Sequence, residues 1–321
     1  MDLIYTNANR VDQGVLQAYE FDLSYGASEN DFEIIVDANE SALEYGSAIY
    51  IEGTEYFGIV DTMKASTNGS TIAFGGKTWH GILNNKVITP NSGEDYYSVT
   101  AQPVSNVIED LIRENGLNDL FRVIHDLDNL IYVTYTFPRY CKLYDGIRGM
   151  LAAKNLKLKM EWKDGRVHLS TVPIVDYSES TLDNDIVSLS IEQHNKKVNH
   201  LICLGKGELA DREVIHLYAN ADGNLQPTPY YTGLDEVVEI YDNSGADSDK
   251  LEQDGIKRFQ ELLDCDKAEI SIGESDGFSY DIGDIVGASE LRSGISVSTA
   301  VTQKIVKIKN GVISTDYKIG E

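Results

Sequence analysis

The chain has 321 residues, 42% of them hydrophobic, with 27 basic against 52 acidic side chains and a net charge of −25. This composition excludes a disordered chain, and the length holds roughly two to four small domains with cores that need no disulfide or metal. The acidic balance argues against a protein that grips nucleic acid, which needs clustered Lys and Arg, and against attraction to an anionic membrane surface.

Three cysteines, Cys141, Cys203 and Cys265, are scattered with no CxxC or Cys/His spacing, so no zinc site is expected. A sparse, odd count fits reduced thiols in a protein made in a cytoplasm. Met1-Asp-Leu-Ile lacks the basic and apolar regions of a signal peptide, and no apolar run is long enough to span a bilayer.

Alternation of apolar and polar residues predicts strands from the start. Phe21 and Leu23, then Phe32, Ile34 and Val36, mark two strands joined by a polar turn over 25–31. Ile49, Ile51 and the stretch Phe57 to Met63 follow, and Asn68-Gly69 is expected to fold a type I′ hairpin returning through Ile72 and Phe74. Residues 77–83 read as a short helix or turn. From Pro103 the period changes. Val104, Val107, Ile108, Leu111 and Ile112 share a helical face that ends at Gly116. Val123 and Ile124 give way at once to His125 and Asp126, so the strand is placed at Leu130 to Tyr135. A second helix over Leu143 to Ala153 buries Leu143, Ile147, Met150 and Leu151, and a hairpin crosses Asp164-Gly165.

Strands resume at Val187 to Ile191, Val198 to Leu204 and Glu213 to Tyr218. A polar segment with a Pro227-Thr-Pro229 turn then leads to a helix from Asp249 to Leu263 with Ile256, Phe259 and Leu263 inward. In the closing strand Val306 and Ile308 face one way, Lys307 and Lys309 the other. The order strand, glycine, strand, Asn-Gly, strand occurs twice, at 46–74 and again at 280–321, with a longer loop around Ala288 to Ser296 in the second. The expected architecture is α+β and mainly β: two related antiparallel split β-barrel domains with a mixed α/β insert between them. The domains are drawn at 1–100, 101–184 and 185–321, with 219–279 as an excursion carrying a helix. Gly283, Gly287 and the Asn310-Gly311 turn are expected to serve folding and ring contacts rather than a ligand.

Chemistry is sparse. The Asp-rich stretch 242–254 fails as an EF-hand in either frame: from Asp242 the fifth and sixth positions are Ala246 and Asp247, and from Asp247 they are Leu251 and Glu252. Asp247 or Asp249 is instead a helix N-cap. His194 and His200 flank Asn195-Lys-Lys-Val-Asn199 without a carboxylate or cysteine pattern to complete a site, and neither His80 nor His168 shows a partner. Gly205-Lys-Gly207 follows a strand and lacks the rest of a P-loop, so it reads as a turn; no GxSxG, HExxH or Walker pattern occurs. Carboxylate pairs for a glycosidase cannot be selected from so many acids. The 19 tyrosines suit a sugar-binding surface, but equally strands and interfaces. No catalytic, cofactor-binding or metal-binding residue is assigned.

Three stretches carry a resemblance. Val198-Asn-His-Leu-Ile-Cys-Leu-Gly-Lys-Gly-Glu-Leu-Ala-Asp-Arg-Glu-Val-Ile-His-Leu-Tyr218, Tyr280-Asp-Ile-Gly-Asp-Ile-Val-Gly287 and the opening Asp2-Leu-Ile-Tyr-Thr-Asn-Ala-Asn-Arg10 resemble a siphophage tail-associated protein family, similar to the baseplate hub protein of contractile tails. The resemblance implies a homotrimer whose paired β-barrel domains form a pseudo-sixfold ring. Such a ring closes the tail tube and connects it to the host-recognition apparatus, with a channel for DNA ejection. It implies a non-enzymatic structural protein located in the virion at the phage tail tip and assembled in the bacterial host cytoplasm. Implied partners are two further copies, a distal tail or tube protein above, and a fibre, receptor-binding or tape-measure protein at the tip, with no cofactor, no sequence-specific nucleic-acid binding and no membrane span. A repeat of two in a trimer gives the six modules that threefold-to-sixfold matching requires, and an acidic wall keeps DNA from sticking. The chain stops after its second β unit, so it is expected to contribute the hub alone, with adhesion or hydrolysis supplied by another chain. The alternatives are a carbohydrate-binding tail-tip protein and, third, a cell-wall glycosidase.

Overall fold

The computed structural model describes residues 2–39, 42–66, 69–178, 187–192, 196–263, 267–273, 279–290, 295–309 and 311–320. The chain forms two units: one joins 1–189 to 269–321, the other is 190–268. Among the described residues no helix is long and apolar enough to cross a membrane.

The first unit opens with seven strands: β1 (Leu3–Thr6), β2 (Asp12–Leu16), β3 (Tyr19–Gly26), β4 (Asp31–Asp37), β5 (Ala48–Ile51), β6 (Phe57–Ala65) and β7 (Thr71–Thr78). Helix α1 (Trp79–Asn84) follows, its N-terminus capped by the Thr78 hydroxyl, which accepts from Gly81 N–H at 3.3 Å. Next come β8 (Ser98–Pro103), α2 (Val104–Glu114), β9 (Phe121–Val123), β10 (Tyr132–Thr136), α3 (Leu143–Ala152), β11 (Leu156–Lys163), β12 (Arg166–Pro173) and β13 (Asp176–Tyr177). The predicted inward faces of α2 and α3 are buried as their spacing required. Phe121–Val123 is a full strand, parallel to β12. Burial of Phe121 and Val123 between sheet and helix secures three residues that local sequence pattern does not.

The chain then passes through β14 (Val187–Glu192) into the second unit. That unit holds β15 (His200–Leu204), β16 (Val214–Ala219), β17 (Leu225–Gln226), β18 (Val238–Asp242) and α4 (Ser248–Leu263). It returns through β19 (Lys267–Gly273) to β20 (Ile285–Glu290), β21 (Ile295–Lys309) and β22 (Val312–Ile319).

Strand pairing differs from the expected barrel halves. β15 and β16 pair with each other, with β17 and with β18, inside the second unit. The closing hairpin pairs with the front of the chain: β21 lies antiparallel to β3 from Gln303↔Gly26 to Lys309↔Glu20. One sheet therefore runs β14-β19-β22-β21-β3-β4-β7-β6-β5-β1-β2, with β20 joined to β21 and β13 to β20. Its inward positions, Phe21, Leu23, Ile34, Val36, Val306 and Ile308, form one core, while Lys307 and Lys309 point out to Asp22 and Glu20. The register decides this: Val306 faces Leu23 and Ile308 faces Phe21, so apolar meets apolar across the strands.

A second core joins the insert to the front strands. Trp79 stacks on Trp162 at 5.3 Å between ring centroids, and Phe57 and Phe121 pack against Trp79. Residues 101–173 thus share buried side chains with β5, β6 and α1. In the second unit Leu201, Cys203 and Leu217 of the sheet pack on Leu251 and Phe259 of α4, with Ile256 and Leu263 at the margin.

The two expected Asn-Gly turns rest on Asn68 and Asn310, which lie outside the described residues. Lys309 pairs with Val312, and Gly311 takes φ +76°. At the front Ala65 pairs with Ile72.

Candidate functional site

The motif Tyr280-Asp-Ile-Gly-Asp284 sits at a buried polar junction of the first unit. A tight turn closes it, with Asp284 N–H donating to Asp281 O at 3.1 Å and Gly283 at φ +99°. Lys157 of β11 reaches into this turn. Its Nζ donates to Asp281 Oδ2 at 2.8 Å and to Asp284 Oδ1 at 2.6 Å. Asp284 also accepts from Val175 N–H and Asp281 N–H, both at 2.9 Å. The side chains of Lys157 and Asp284 are 6% and 2% exposed. Burial opposes the Lys157 cation, but hydrogen bonds to Asp281 and Asp284 outweigh it and hold its pKa above the ordinary value. Burial likewise pushes the Asp281 carboxyl up, and the Lys157 bond and charge reverse that to a net depression. Two carboxylates accept from one buried ammonium, and two backbone N–H groups donate to Asp284 in turn, so the insert is clamped to the closing segment.

Lys304 of β21 enters the same junction from the sheet. It shares the inward parity of Val306 and Ile308, a position where alternation predicts an apolar residue. Its Nζ lies 5.4 Å from the Tyr56 ring centroid and 5.3 Å from that of Tyr317, and donates to Ser279 Oγ and Tyr280 O at 3.2 Å. Burial disfavours this cation, but the phenol oxygens of Tyr56 and Tyr317 and the carboxylates of Asp281 and Glu55 raise its pKa on balance. Glu55 completes the set. It accepts from Met160 N–H at 2.7 Å and from Tyr25 Oη at 3.5 Å. Desolvation pushes its carboxyl up to about 7, against the pull of the Met160 N–H. A cavity of about 300 Å³ lies beside these groups, lined by Tyr25, Glu55, Tyr56, Lys159, Asp281 and Lys304. Their chemistry is attachment: Glu55 ties the front strands to β11, Lys157 ties β11 to the closing turn, and Lys304 ties that turn to the sheet.

Within α1, the His80 ring stacks on Tyr25 at 4.3 Å between centroids. Burial, with Arg148 nearby, lowers its pKa to about 3, so it is a neutral core residue. Gly287 runs close to β13, and a Cβ there would fall 2.6 Å from Ser178 O. Gly283 and Gly287 are thus positions set by backbone geometry.

The second unit holds a different arrangement. His194 lies outside the described residues. His200 pairs instead with His216, Nε2 to Nδ1 at 2.9 Å, while its Nδ1 meets Glu236 Oε1 at 2.8 Å. The register explains the meeting: His200 faces Tyr218 across β15 and β16, so His216 lies diagonally on the same sheet face. Glu236 arrives just before β18. Three acids of the Asp-rich stretch are engaged locally. Asp247 accepts from Lys250 N–H at 3.2 Å as the helix cap, Asp242 pairs with Arg212, and Asp254 accepts from Asn243 Nδ2 at 3.2 Å. Gly205-Lys-Gly207 is a turn between β15 and β16, with Gly207 at φ +106°. Burial pushes the Cys141 and Cys203 thiols up, away from the reactive thiolate.

Sequence reading pointed to Tyr280–Gly287 as a fold position but missed Glu55, Lys157, Lys304, His216 and Glu236. For Lys304 a signal existed, a charge at an inward position of an alternating strand. For the others the partners lie far apart in sequence.

A mainly β chain closed on its own front strand by a C-terminal hairpin, with an α/β insert and a second small sheet-and-helix unit, has the fold of phage tail proteins. The 43 kDa tail protein of prophage MuSo2 from Shewanella oneidensis matches with a TM-score of 0.58 at 11% identity, covering 100% of this chain and 98% of that one. The tail protein from Neisseria meningitidis MC58 matches at 0.55 and 12% identity, covering 100% and 96%. A chain of the phage P2 baseplate, in its activated conformation with Ca, matches at 0.51 and 10% identity, covering 99% and 98%. No protein-family model and no curated protein matches the sequence.

Proposed function

We propose that this chain is a structural component of a phage tail tip, the hub at which the tail tube ends. The observation that carries the reading is the extent of the likeness: tail and baseplate chains match it over 99–100% of its length and 96–98% of their own. The interior supports the same role. Its charged groups are spent on joining front strands, insert and closing turn, as a load-transmitting subunit requires. On this reading the chain forms a threefold ring that continues the tube and connects it to the host-recognition apparatus, and DNA leaves through its channel. Its neighbours are a distal tail or tube protein above and a fibre, receptor-binding or tape-measure protein below. The net charge of −25 suits a wall that DNA must slide past.

Light scattering after size exclusion, with negative-stain imaging, tests the proposal. A ring of three 35.6 kDa copies is expected. A monomer that pulls down host cell wall supports a carbohydrate-binding tip protein instead. Release of reducing sugar from peptidoglycan, abolished by one acidic substitution, would overturn the structural reading.

A further inference from the structure

The turn between β15 and β16 displays an apolar side chain at a conformational cost. Leu209 is 95% exposed and sits at φ +51°, a region that a bulky residue rarely occupies. The turn holding it is closed by hydrogen bonds on both sides. Gly205 N–H donates to Glu213 O at 2.8 Å, Glu213 N–H to Lys206 O at 2.9 Å and Asp211 N–H to Glu208 O at 3.0 Å. Arg212 Nε donates to Gly205 O at 3.0 Å, and the same guanidinium pairs with Asp242. Gly207 admits no side chain, since a Cβ would fall 2.4 Å from Asp211 O. Folding alone gives no reason to hold a leucine outward on a strained, well-anchored turn.

The first unit carries a matching recess. A groove of about 340 Å³ opens beside α3, walled by Gly149, Ala152, Ile282 and Val301. Its rim bears Arg148, whose guanidinium lies 3.8 Å from Asp145 and 5.4 Å from the Tyr144 ring centroid. Glu208 and Asp211 flank Leu209, so the acidic shoulders of the turn complement that arginine. A knob and a recess at different places on one chain form a heterologous contact, the kind that closes rings when repeated by rotation.

We propose that Leu209 of one copy docks into the groove beside α3 of a second copy, and that this contact sets the ring. The proposal rests on the ring reading above and names the residues that would make it.

Leu209→Gly separates docking from folding. The glycine relieves the positive φ, so thermal stability of the subunit is expected to stay equal or rise while the trimer dissociates at least tenfold more readily by size exclusion. Leu234 is 91% exposed on another turn of the same unit, and Leu234→Gly is the control expected to leave assembly unchanged. A chain carrying both Leu209→Cys and Ala152→Cys should give covalent dimers and trimers with a short bis-maleimide, absent from either single variant. A trimeric wild type together with no cross-link in the double-cysteine variant and normal assembly of Leu209→Gly would overturn the docking contact while leaving the ring intact. Equal loss of assembly in both leucine variants would also overturn it. A wild-type protein that stays monomeric at every concentration overturns the contact and the ring together.

Discussion

Replacing Lys157 with methionine keeps the length and apolar stem of the side chain but removes the ammonium from between Asp281 and Asp284. Asp284 is then left 2% exposed, with two N–H donors and no counterion. Breaking a buried pair by removing one partner costs about 3–5 kcal/mol. For a unit of this size each kcal/mol moves the melting temperature by roughly 2–4 °C. Both tryptophans of the chain, Trp79 and Trp162, lie in the first unit's core, so tryptophan fluorescence in urea reads that unit without interference from the second. Asp281→Asn is the internal comparison. Its carboxylate is 32% exposed and Asp284 still holds the lysine, so the loss should stay near 1 kcal/mol or below. The Asp281 pKa is depressed in the folded state, so its contribution is present above the ordinary carboxylate value and is lost as pH falls through the folded value. The gap between wild type and Lys157→Met should therefore be full at pH 7 and narrow below about pH 4. A Lys157→Met protein within about 1 kcal/mol of wild type at pH 7, or an Asp281→Asn protein less stable than it, would refute the clamp.

Glu55 works in the opposite sense. Its carboxyl rises from 4.5 to about 7, so stability is favoured below the unfolded value and declines as pH climbs to about 7. Glu55→Gln keeps the Met160 N–H bond and should match wild type at pH 4 yet exceed it by about 2–3 kcal/mol at pH 8, read from urea midpoints. His80, with a pKa lowered to about 3, costs stability as pH falls below 6.5, and His80→Phe should flatten that acid limb while keeping the stack on Tyr25. Gly311→Val places a β-branched residue at φ +76° and should lower stability by about 1–2 kcal/mol or more, whereas Gly311→Asn should cost less. Gly287→Ala should part β20 from β13, visible as faster amide exchange at Ile285, whose N–H donates to Val175 O, because its methyl would meet Ser178 O.

The helices were readable because their apolar spacing is regular and each buries one face. Val104, Val107, Ile108, Leu111 and Ile112 needed no tertiary knowledge. The alternation at Phe21 and Leu23 and at Val306 and Ile308 also gave the correct faces, but not that these strands pair with each other. Period-two patterns fix which side of a strand is buried and leave its partner open. Of the expected 185–218 half, β14 shares the sheet of the closing hairpin through β19, whereas β15 and β16 pair inside the second unit. β9 was missed because three residues carry too little pattern to stand out from a loop. The buried junction was hidden by composition: among 52 acidic residues, nothing local sets apart Glu55, Asp281 and Asp284.

The bonding of β21 to β3 has a consequence for how the chain is made. Gln303 and Ser24, joined side chain to side chain at 2.6 Å, are 279 positions apart. On the ribosome β3 emerges among the first strands and must wait, with one edge unpaired, until synthesis has passed Lys309. Closing so long a loop is slow relative to local folding, and an open strand edge invites association with other nascent chains. Residues 190–268 have their own core and can fold during that interval. The sheet of the first unit is then completed only when the last strands of the chain have been made.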